Sequence, residues 1–404
     1  MNSLACNLAD LTKLKSGVER LTLTDFRNYQ HLRLSAEIAP IIVYGENGSG
    51  KTNILEAISF LTPGRGLRGA RLADIKRFIP RSGTEELEQV SSLNWAVVAE
   101  IVNNDESYTI ATAVEKTAKE VEDIDGYRSF ERRIVKVDGN KISSQAELGR
   151  YLSAIWLTPQ MDRLFRGGSQ PRRAFLDRLV YAFDMEHAKR TANFEHMYHE
   201  WYRLIKDGKR DNYWLESLEE NMAALGVAIA AARREQVARL NAFIEQDPDD
   251  VFPSVVLELN GTIEKALDSQ PAVVVEDLYK TMMKQQRRFI LENDNPDGIN
   301  RTDFKVYFKK KGMPADLCST GEQKSLLISI ILAQTKCQIL HKGFSPVMLL
   351  DEVAAHLDDV KREAFLEKIT ALNVQAWITT TNQELFDSIK NQAQFFHIKD
   401  NSVY

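Results

Sequence analysis

The stretch VYGENGSGKTN at residues 43–53 constrains the fold more than any other part of the chain. Gly45, Gly50, Lys51 and Thr52 satisfy G-x-x-x-x-G-K-[ST], directly after the apolar run PIIVY and directly before TNILEAISFL, whose apolar residues recur at helical spacing. A buried strand, a glycine-rich turn and a helix in that order make a phosphate cradle. The glycines let backbone N–H groups turn inward, the helix N-terminus adds positive potential, Lys51 neutralises the β- and γ-phosphates, and Thr52 offers a hydroxyl to Mg²⁺. Gly45, Glu46, Asn47, Gly48, Ser49, Gly50, Lys51, Thr52 and Asn53 are therefore the candidate ATP-binding residues, with Mg²⁺ expected alongside.

A second feature agrees. VMLLDE at 347–352 carries Asp351 and Glu352 to the end of a buried strand, where open parallel sheets bind ligands. Asp351 is placed to hold the Mg²⁺ through its shell, and Glu352, one residue on, to polarise the attacking water. An acid pair after an apolar run is by itself an ordinary strand end or helix start; the phosphate loop changes that reading.

With 404 residues, 44% hydrophobic and 27% charged, the chain can bury a large core in two or three structural units. Its longest apolar run, LLISIILA at 326–333, is far shorter than the roughly 18–20 residues of a membrane span. The N-terminus lacks a basic-then-apolar signal pattern, so neither a membrane partner nor export is expected. Cys6, Cys318 and Cys337 have no metal-ligand spacing and fit free thiols of a reducing cytoplasm. His196 and His199 lie three apart on a polar helix and read as solvated surface, leaving no metal beyond the nucleotide's Mg²⁺.

The net charge of −5 argues against a protein that coats nucleic acid indiscriminately. Positive charge is local instead. Residues 61–81 hold Arg65, Arg68, Arg71, Lys76, Arg77 and Arg81 against the single acid Asp74. Arg163, Arg166, Arg172, Arg173 and Arg178 form a second cluster, and Lys309, Lys310 and Lys311 a third. A solvated face is the default for any such run. The first departs from it, because its arginines alternate with glycines directly after the nucleotide motif.

ERLTLTDF and HLRLSAEI alternate like half-buried strands, whereas PIIVY is a continuous run suited to a parallel strand buried on both faces. WAVVAEIV, SYTIATAVE and SFERRIVKVDGNKI continue the β character, the last turning at Asp138-Gly139. From about 171 to 250 the period becomes 3.6, with Leu218, Met222, Leu225, Ile229, Leu240 and Ile244 on one stripe. SVVLELN, FKVYFKK, PVMLL and QAWITT read as later strands, VEDLYKTMMKQQRRFI and 358–371 as helices, and a last helix and strand close the chain. The expectation is an α/β head with added antiparallel strands, split in sequence by a helical arm: an extension at 1–19, head segments at 20–165 and 301–404, and the arm at 166–300.

STGEQK at 319–324 has a local and a global meaning. Ser319 followed by Glu322 is a capping box that only starts a helix. A Ser and a Gly at a helix mouth are also what half of a shared nucleotide site needs.

LTLTDFRNYQHLRL, GENGSGKTNILEAI, GRGLR, LTPQMDRLFRGGSQPRRAFLDRL, STGEQK and LLDEVAAHLD, in that order, closely resemble the RecF family of bacterial recombination mediators, among the ABC-type ATPases that include the SMC proteins. The similarity runs from about residue 20 to the C-terminus. It implies an ABC-type ATPase head with a mixed sheet and a short helical lobe, ATP-dependent homodimerisation, DNA binding, and work with RecR and RecO to load RecA at single-strand gaps; Arg65, Arg68 and Arg71 of the basic loop are the candidate DNA contacts. Ser319 and Gly321 match the signature that reaches the γ-phosphate held by a partner's loop, and His356-Leu357-Asp358 the segment that lies against that partner. Gln160 resembles the glutamine that senses Mg²⁺ and water, joining Lys51 and Glu352 as catalytic candidates. One departure is ITTTNQE, where many ABC ATPases place a switch histidine; Thr380 or Thr381 would do a weaker version of that job, implying slow turnover.

A transporter ATPase subunit shares the same motifs but is disfavoured by the absent histidine, the helical insertion and the distance in sequence from Lys51 to Gln160. An SMC-like DNA-organising protein would need hundreds of residues of heptads, and a nucleotide kinase needs neither the signature nor the basic loop.

Overall fold

The structure is a computed structural model that describes residues 16–80, 87–89, 94–118, 129–208, 212–246, 251–292, 296–354 and 357–404. Most of the expected extension, Arg81 and His356 lie outside the described residues. The chain forms two compact units, one of the described residues up to Pro159 together with Gln338–Tyr404, the other of Gln160–Cys337.

The first unit holds two six-stranded sheets. In the antiparallel one, β1 (Ser16–Phe26), β2 (Tyr29–Ser35), β6 (Ala96–Asn103), β7 (Glu106–Ala118), β8 (Ser129–Val137) and β9 (Asn140–Lys141) run in the order β2-β1-β6-β7-β8-β9. Ser16 already pairs with Asn103, so the expected extension ends four residues before Arg20 and its last residues belong to β1. The β8–β9 turn has φ of 49° at Asp138 and 79° at Gly139, the paired left-handed geometry that a two-residue hairpin requires. A short pair, β4 (Phe78–Pro80) and β5 (Leu87–Gln89), precedes β6 in sequence.

The other sheet is built from β3 (Pro40–Tyr44), β10 (Ala154–Leu157), β14 (Val347–Asp351), β15 (Ala376–Thr380), β16 (Gln394–Lys399) and β17 (Ser402–Val403), in the order β10-β14-β15-β3-β16-β17. All its pairings are parallel except β16–β17. Strands β14 and β15 are buried at every residue, as continuous apolar runs in a covered parallel sheet must be. Register sets the function-bearing edge: Asp351 pairs with Thr379, Thr380 with Tyr44, and Leu157 with Leu350, so the C-terminal ends of β3, β14 and β15 finish level. Helix α1 (Lys51–Ser59) leaves β3 through the phosphate loop, and α8 (Asp359–Ala371) joins β14 to β15. The last helix of the sequence reading is a 3-10 segment, Gln383–Ile389.

The second unit contains α2 (Ser169–Tyr181), and α3 (His187–Lys206), the 35-residue α4 (Asn212–Gln246), α5 (Thr262–Ala266) and α6 (Ala272–Leu291), which share one apolar core. The expected stripe is its seam: Leu218, Met222, Ile229, Leu240 and Ile244 are buried. At Gly226 an added Cβ would lie 2.5 Å from Tyr279, so the residue lets α4 and α6 approach closely. Strand β11 (Val255–Asn260) pairs with β12 (Asp303–Phe308), which pairs with β13 (Met313–Pro314), and α7 (Thr320–Lys342) follows. This division differs from the sequence boundaries at 166 and 301, because the β11–β12 ladder ties the segment after 301 to the inserted unit.

Candidate active site

At the level edge of the parallel sheet, the loop from Gly45 to Gly50 bends back on itself and opens α1. Gly45 has φ 153°, and a Cβ there would sit 2.3 Å from the Ile398 carbonyl oxygen. Gly50, the N-cap of α1, has φ 104°, and its Cβ would sit 2.3 Å from Asn28 Nδ2. Both positions exclude a side chain on two counts, conformation and space. Asn28 Nδ2 donates to Ser49 O at 3.2 Å and its Oδ1 accepts from Asn53 Nδ2 at 2.7 Å, so the β1–β2 turn clasps the loop from outside.

Lys51 is only 5% exposed, and its Nζ donates to the Gly45 and Glu46 carbonyls at 2.8 Å each. Burial pushes its ammonium below the ordinary lysine range, opposed by the negative charges of Glu352 and Asp351. Thr52 Oγ1 donates to Asp351 Oδ1 at 2.8 Å, and Thr379 Oγ1 donates to the same oxygen at 2.7 Å. Glu352 N–H donates to Thr379 Oγ1 at 3.0 Å, and Glu352 sits at φ 55°, a left-handed backbone that a glutamate adopts only where its surroundings hold it.

The residues present fit a nucleotide phosphate and Mg²⁺. Ser49 Oγ is buried with no hydrogen-bond partner among the described residues, the two glycines keep the cradle clear, and Thr52 with Asp351 presents the hard oxygen donors that Mg²⁺ prefers. Thr379 was invisible to sequence reasoning, since nothing distinguishes it from the two threonines that follow. Thr380 Oγ1 instead closes a turn with Asn382, and Thr381 is exposed.

The basic loop behind α1 divides three ways. Arg68 Nη1 reaches Glu56 Oε2 at 3.0 Å and Asn53 Oδ1 at 2.8 Å, and Arg27 grips the same fully buried Glu56 with two bonds of 2.8 and 2.6 Å. Arg71 pairs with Asp74 at 2.9 Å on the surface. Arg65 is exposed and held by no carboxylate among the described residues. Of the other clusters, Arg172 pairs with Asp303, Arg173 donates to Thr302 O, and Arg178 packs on Phe175, its guanidinium drawn down to about 9 by burial. These three serve the packing of the second unit. His196 and His199 are exposed.

In the second unit, Ser319 N–H donates to Glu322 Oε2 at 2.9 Å and Glu322 N–H to Ser319 Oγ at 3.4 Å, the reciprocal cap of α7. Lys311 also donates to Glu322, and these bonds hold its carboxyl down to about 2. Gly321 has an ordinary φ, is exposed and would meet nothing within 4 Å if it carried a Cβ. Gln160 is exposed in the 3-10 turn Pro159–Arg163 that follows β10. Leu357 is buried, and Asp358 caps α8 by accepting from Lys361 N–H.

Residues 17–403 match the family model described as RecF/RecN/SMC N terminal domain. The DNA replication and repair protein RecF of Rhizobium rhizogenes is 38% identical over 388 residues, 96% of this chain and 98% of that protein. RecF of Mesorhizobium japonicum is 39% identical over 388 residues, 96% of this chain and 97% of that one. Among solved structures, the recombination mediator protein RecF-ATPrS in the RecFOR pathway superposes with a TM-score of 0.78 at 20% identity, covering 96% of this chain and 98% of the other. An SmcHead bound to the C-winged helix domain of ScpA gives 0.52 at 14% identity, covering 96% and 95%. At these identities the structural likeness bears on fold alone, and the fold is an ABC-type ATPase head.

Proposed function

The chain belongs to the RecF family of DNA replication and repair proteins, and from that premise we propose a slow, DNA-stimulated cytoplasmic ATPase whose ATP-bound homodimer holds DNA at single-strand gaps, where it works with RecR and RecO to load RecA. The observation that carries the ATPase reading is the convergence of Thr52 and Thr379 on Asp351 Oδ1, with Glu352 tied to Thr379. Lys51 and the inward N–H groups of the loop bind the β- and γ-phosphates, exchanging the lysine's two carbonyl bonds for charge-assisted ones. Thr52 and Asp351 would hold Mg²⁺, which when bound neutralises charge on the phosphate oxygens. Glu352 orients water and accepts its proton at the side-chain carboxylate, and its pinned backbone fixes where that carboxylate can point. Gln160 serves as the sensor of that water.

The dimer reading is supported by a residue that its own helix does not need. A glycine in the first turn of α7 costs about 1 kcal/mol against alanine, and neither φ nor crowding requires it at 321. A surface that must admit a partner's triphosphate does require it, so Ser319 and Gly321 complete the second copy's site. The deciding experiment is the mass of the protein in solution with and without ATP and gapped DNA. We expect a dimer with ATP and Mg²⁺ and a monomer without; a monomer under every condition would overturn the proposal.

A further inference from the structure

A cavity of about 780 Å³ lies between the loop that leaves α1 and the β8–β9 hairpin. Arg65 and Arg71 line it from the loop, Arg132 and Arg133 from β8 and Lys141 from β9, and no carboxylate is among its described lining residues. Arg133 is the unusual member. It is buried, and its guanidinium donates to Phe60 O, to Gly64 O at 2.8 Å, to Gln145 Oε1 at 3.0 Å and to Thr112 Oγ1 at 2.8 Å, lying over the Phe60 ring at 5.2 Å. Every one of those acceptors is neutral. Burial draws it down to about 10, still charged at neutral pH, so a buried cation faces the cavity with no carboxylate partner among the described residues.

The remaining cations are loosely held. Among the described residues no carboxylate pairs with Arg65 or Arg132; Lys141 is 3.9 Å from Glu115, which stands opposite Arg132 across β7 and β8, and Arg71 shares a surface pair with Asp74. Exposed pairs of this kind are weak and yield readily to a phosphate. The cations come from three segments along an open trough, which suits successive phosphates rather than one. Among the described residues that line it, the one aromatic, Phe60, is buried beneath Arg133 and offers no free face to a base.

We propose that this trough is a second anion site that seats consecutive backbone phosphates of nucleic acid, with Arg132 and Lys141 as contacts and Arg133 as the positioning residue that holds the loop carrying Arg65. The site rests on the reading that the protein holds DNA, and adds to it where and with what. It also joins the two ligands physically: α1 begins at the phosphate loop, and the carbonyl of its C-cap, Phe60, is one of the two that Arg133 holds. Base identity goes unread, so binding there is indifferent to sequence and steep in salt.

The test uses the full chain with ATP and a fluorescent gapped duplex, with anisotropy measured across salt concentrations. For Arg132→Ala/Lys141→Ala, log affinity against log salt flattens by about 1.8, at about 0.9 per contact, and affinity near 0.1 M salt falls at least about tenfold on unrelated sequences. ATP affinity, set at the other end of α1, serves as the folding control. Arg133→Lys keeps the charge but loses the fork: DNA affinity drops while the salt slope and ATP affinity hold, whereas a parallel loss of thermal stability and ATP binding would make Arg133 merely structural and sink its positioning role. An unchanged slope in the double variant, with the slope reduced in Arg65→Ala, overturns the trough while DNA holding stands. No DNA binding by the unaltered protein overturns DNA holding itself. Inorganic tripolyphosphate that binds through Arg132 and Lys141, without any change in the DNA slope, assigns the cavity to free polyphosphate and overturns the nucleic-acid assignment.

Discussion

At Glu352 a single backbone angle and a single hydrogen bond decide what the acid pair can do. Asp351 accepts two hydroxyl hydrogen bonds on one oxygen, whereas Glu352 sits at φ 55° with its N–H on Thr379. The two neighbours therefore divide the work, one binding and one receiving a proton. Glu352→Gln should keep ATP binding and lower turnover by about 10²-fold or more, the usual contribution of a positioned base; single-turnover hydrolysis unchanged from the unaltered protein would remove Glu352 from that role. The capping glutamate Glu322 gives a pH prediction. Its folded pKa, about 2, lies below its ordinary 4.5, so its stabilisation is complete above about 4.5 and is lost as pH falls towards about 2. The Tm gap between the unaltered protein and Glu322→Gln should be full at pH 7 and shrink through that window; a gap constant down to pH 3 would show that the cap does not act through the carboxylate's charge. The cap was legible in sequence because Ser-x-x-Glu is a local code. Thr379 was not, because among three successive threonines only the register of β15 on β14 selects the one that faces Asp351.

Helix α1 shows what an element can hide. From TNILEAISFL the sequence announces a helix, yet the glutamate in its apolar face carries no sign of its partner. Folding supplies Arg27 from the β1–β2 turn and Arg68 from the basic loop, and both close on a side chain with no exposure at all. The arginines that look alike between glycines are thus unlike in the fold, and they should separate under mutation. Arg65→Ala should flatten the salt dependence of DNA binding by about 0.9 with little change in Tm, whereas Arg68→Ala should cost about 1–2 kcal/mol of stability by weakening a buried charge network. Equal salt slopes and equal melting curves for the two variants would contradict the division. The same limit applies to the unit boundary: the strands at 254–260 and 304–310 were each readable by alternation, but their pairing is a contact across more than forty residues that no local pattern encodes.

For the whole molecule, the open question is whether the α7 cap serves only its own helix, and two crippled chains can answer it. Ser319→Arg removes a reciprocal cap, worth about 1 kcal/mol, and if that is all Ser319 does the defect stays within its own chain. If Ser319 and the uncrowded Gly321 instead meet a partner's triphosphate, an arginine at 319 leaves nucleotide binding intact and blocks closure of the dimer. Lys51→Met fails at an earlier step, because the phosphates lose the buried ammonium that the loop holds in place. In a mixed dimer one composite site carries both lesions, while the other joins the intact Lys51 of the Ser319→Arg chain to the intact Ser319 of the Lys51→Met chain. Mixing the two inactive variants should therefore restore ATP hydrolysis in part, with a yield that climbs as protein concentration rises, as only an intermolecular site allows. A mixture that stays as inactive as its components, at concentrations where the unaltered protein dimerises, would return STGEQK to its local meaning as a helix start.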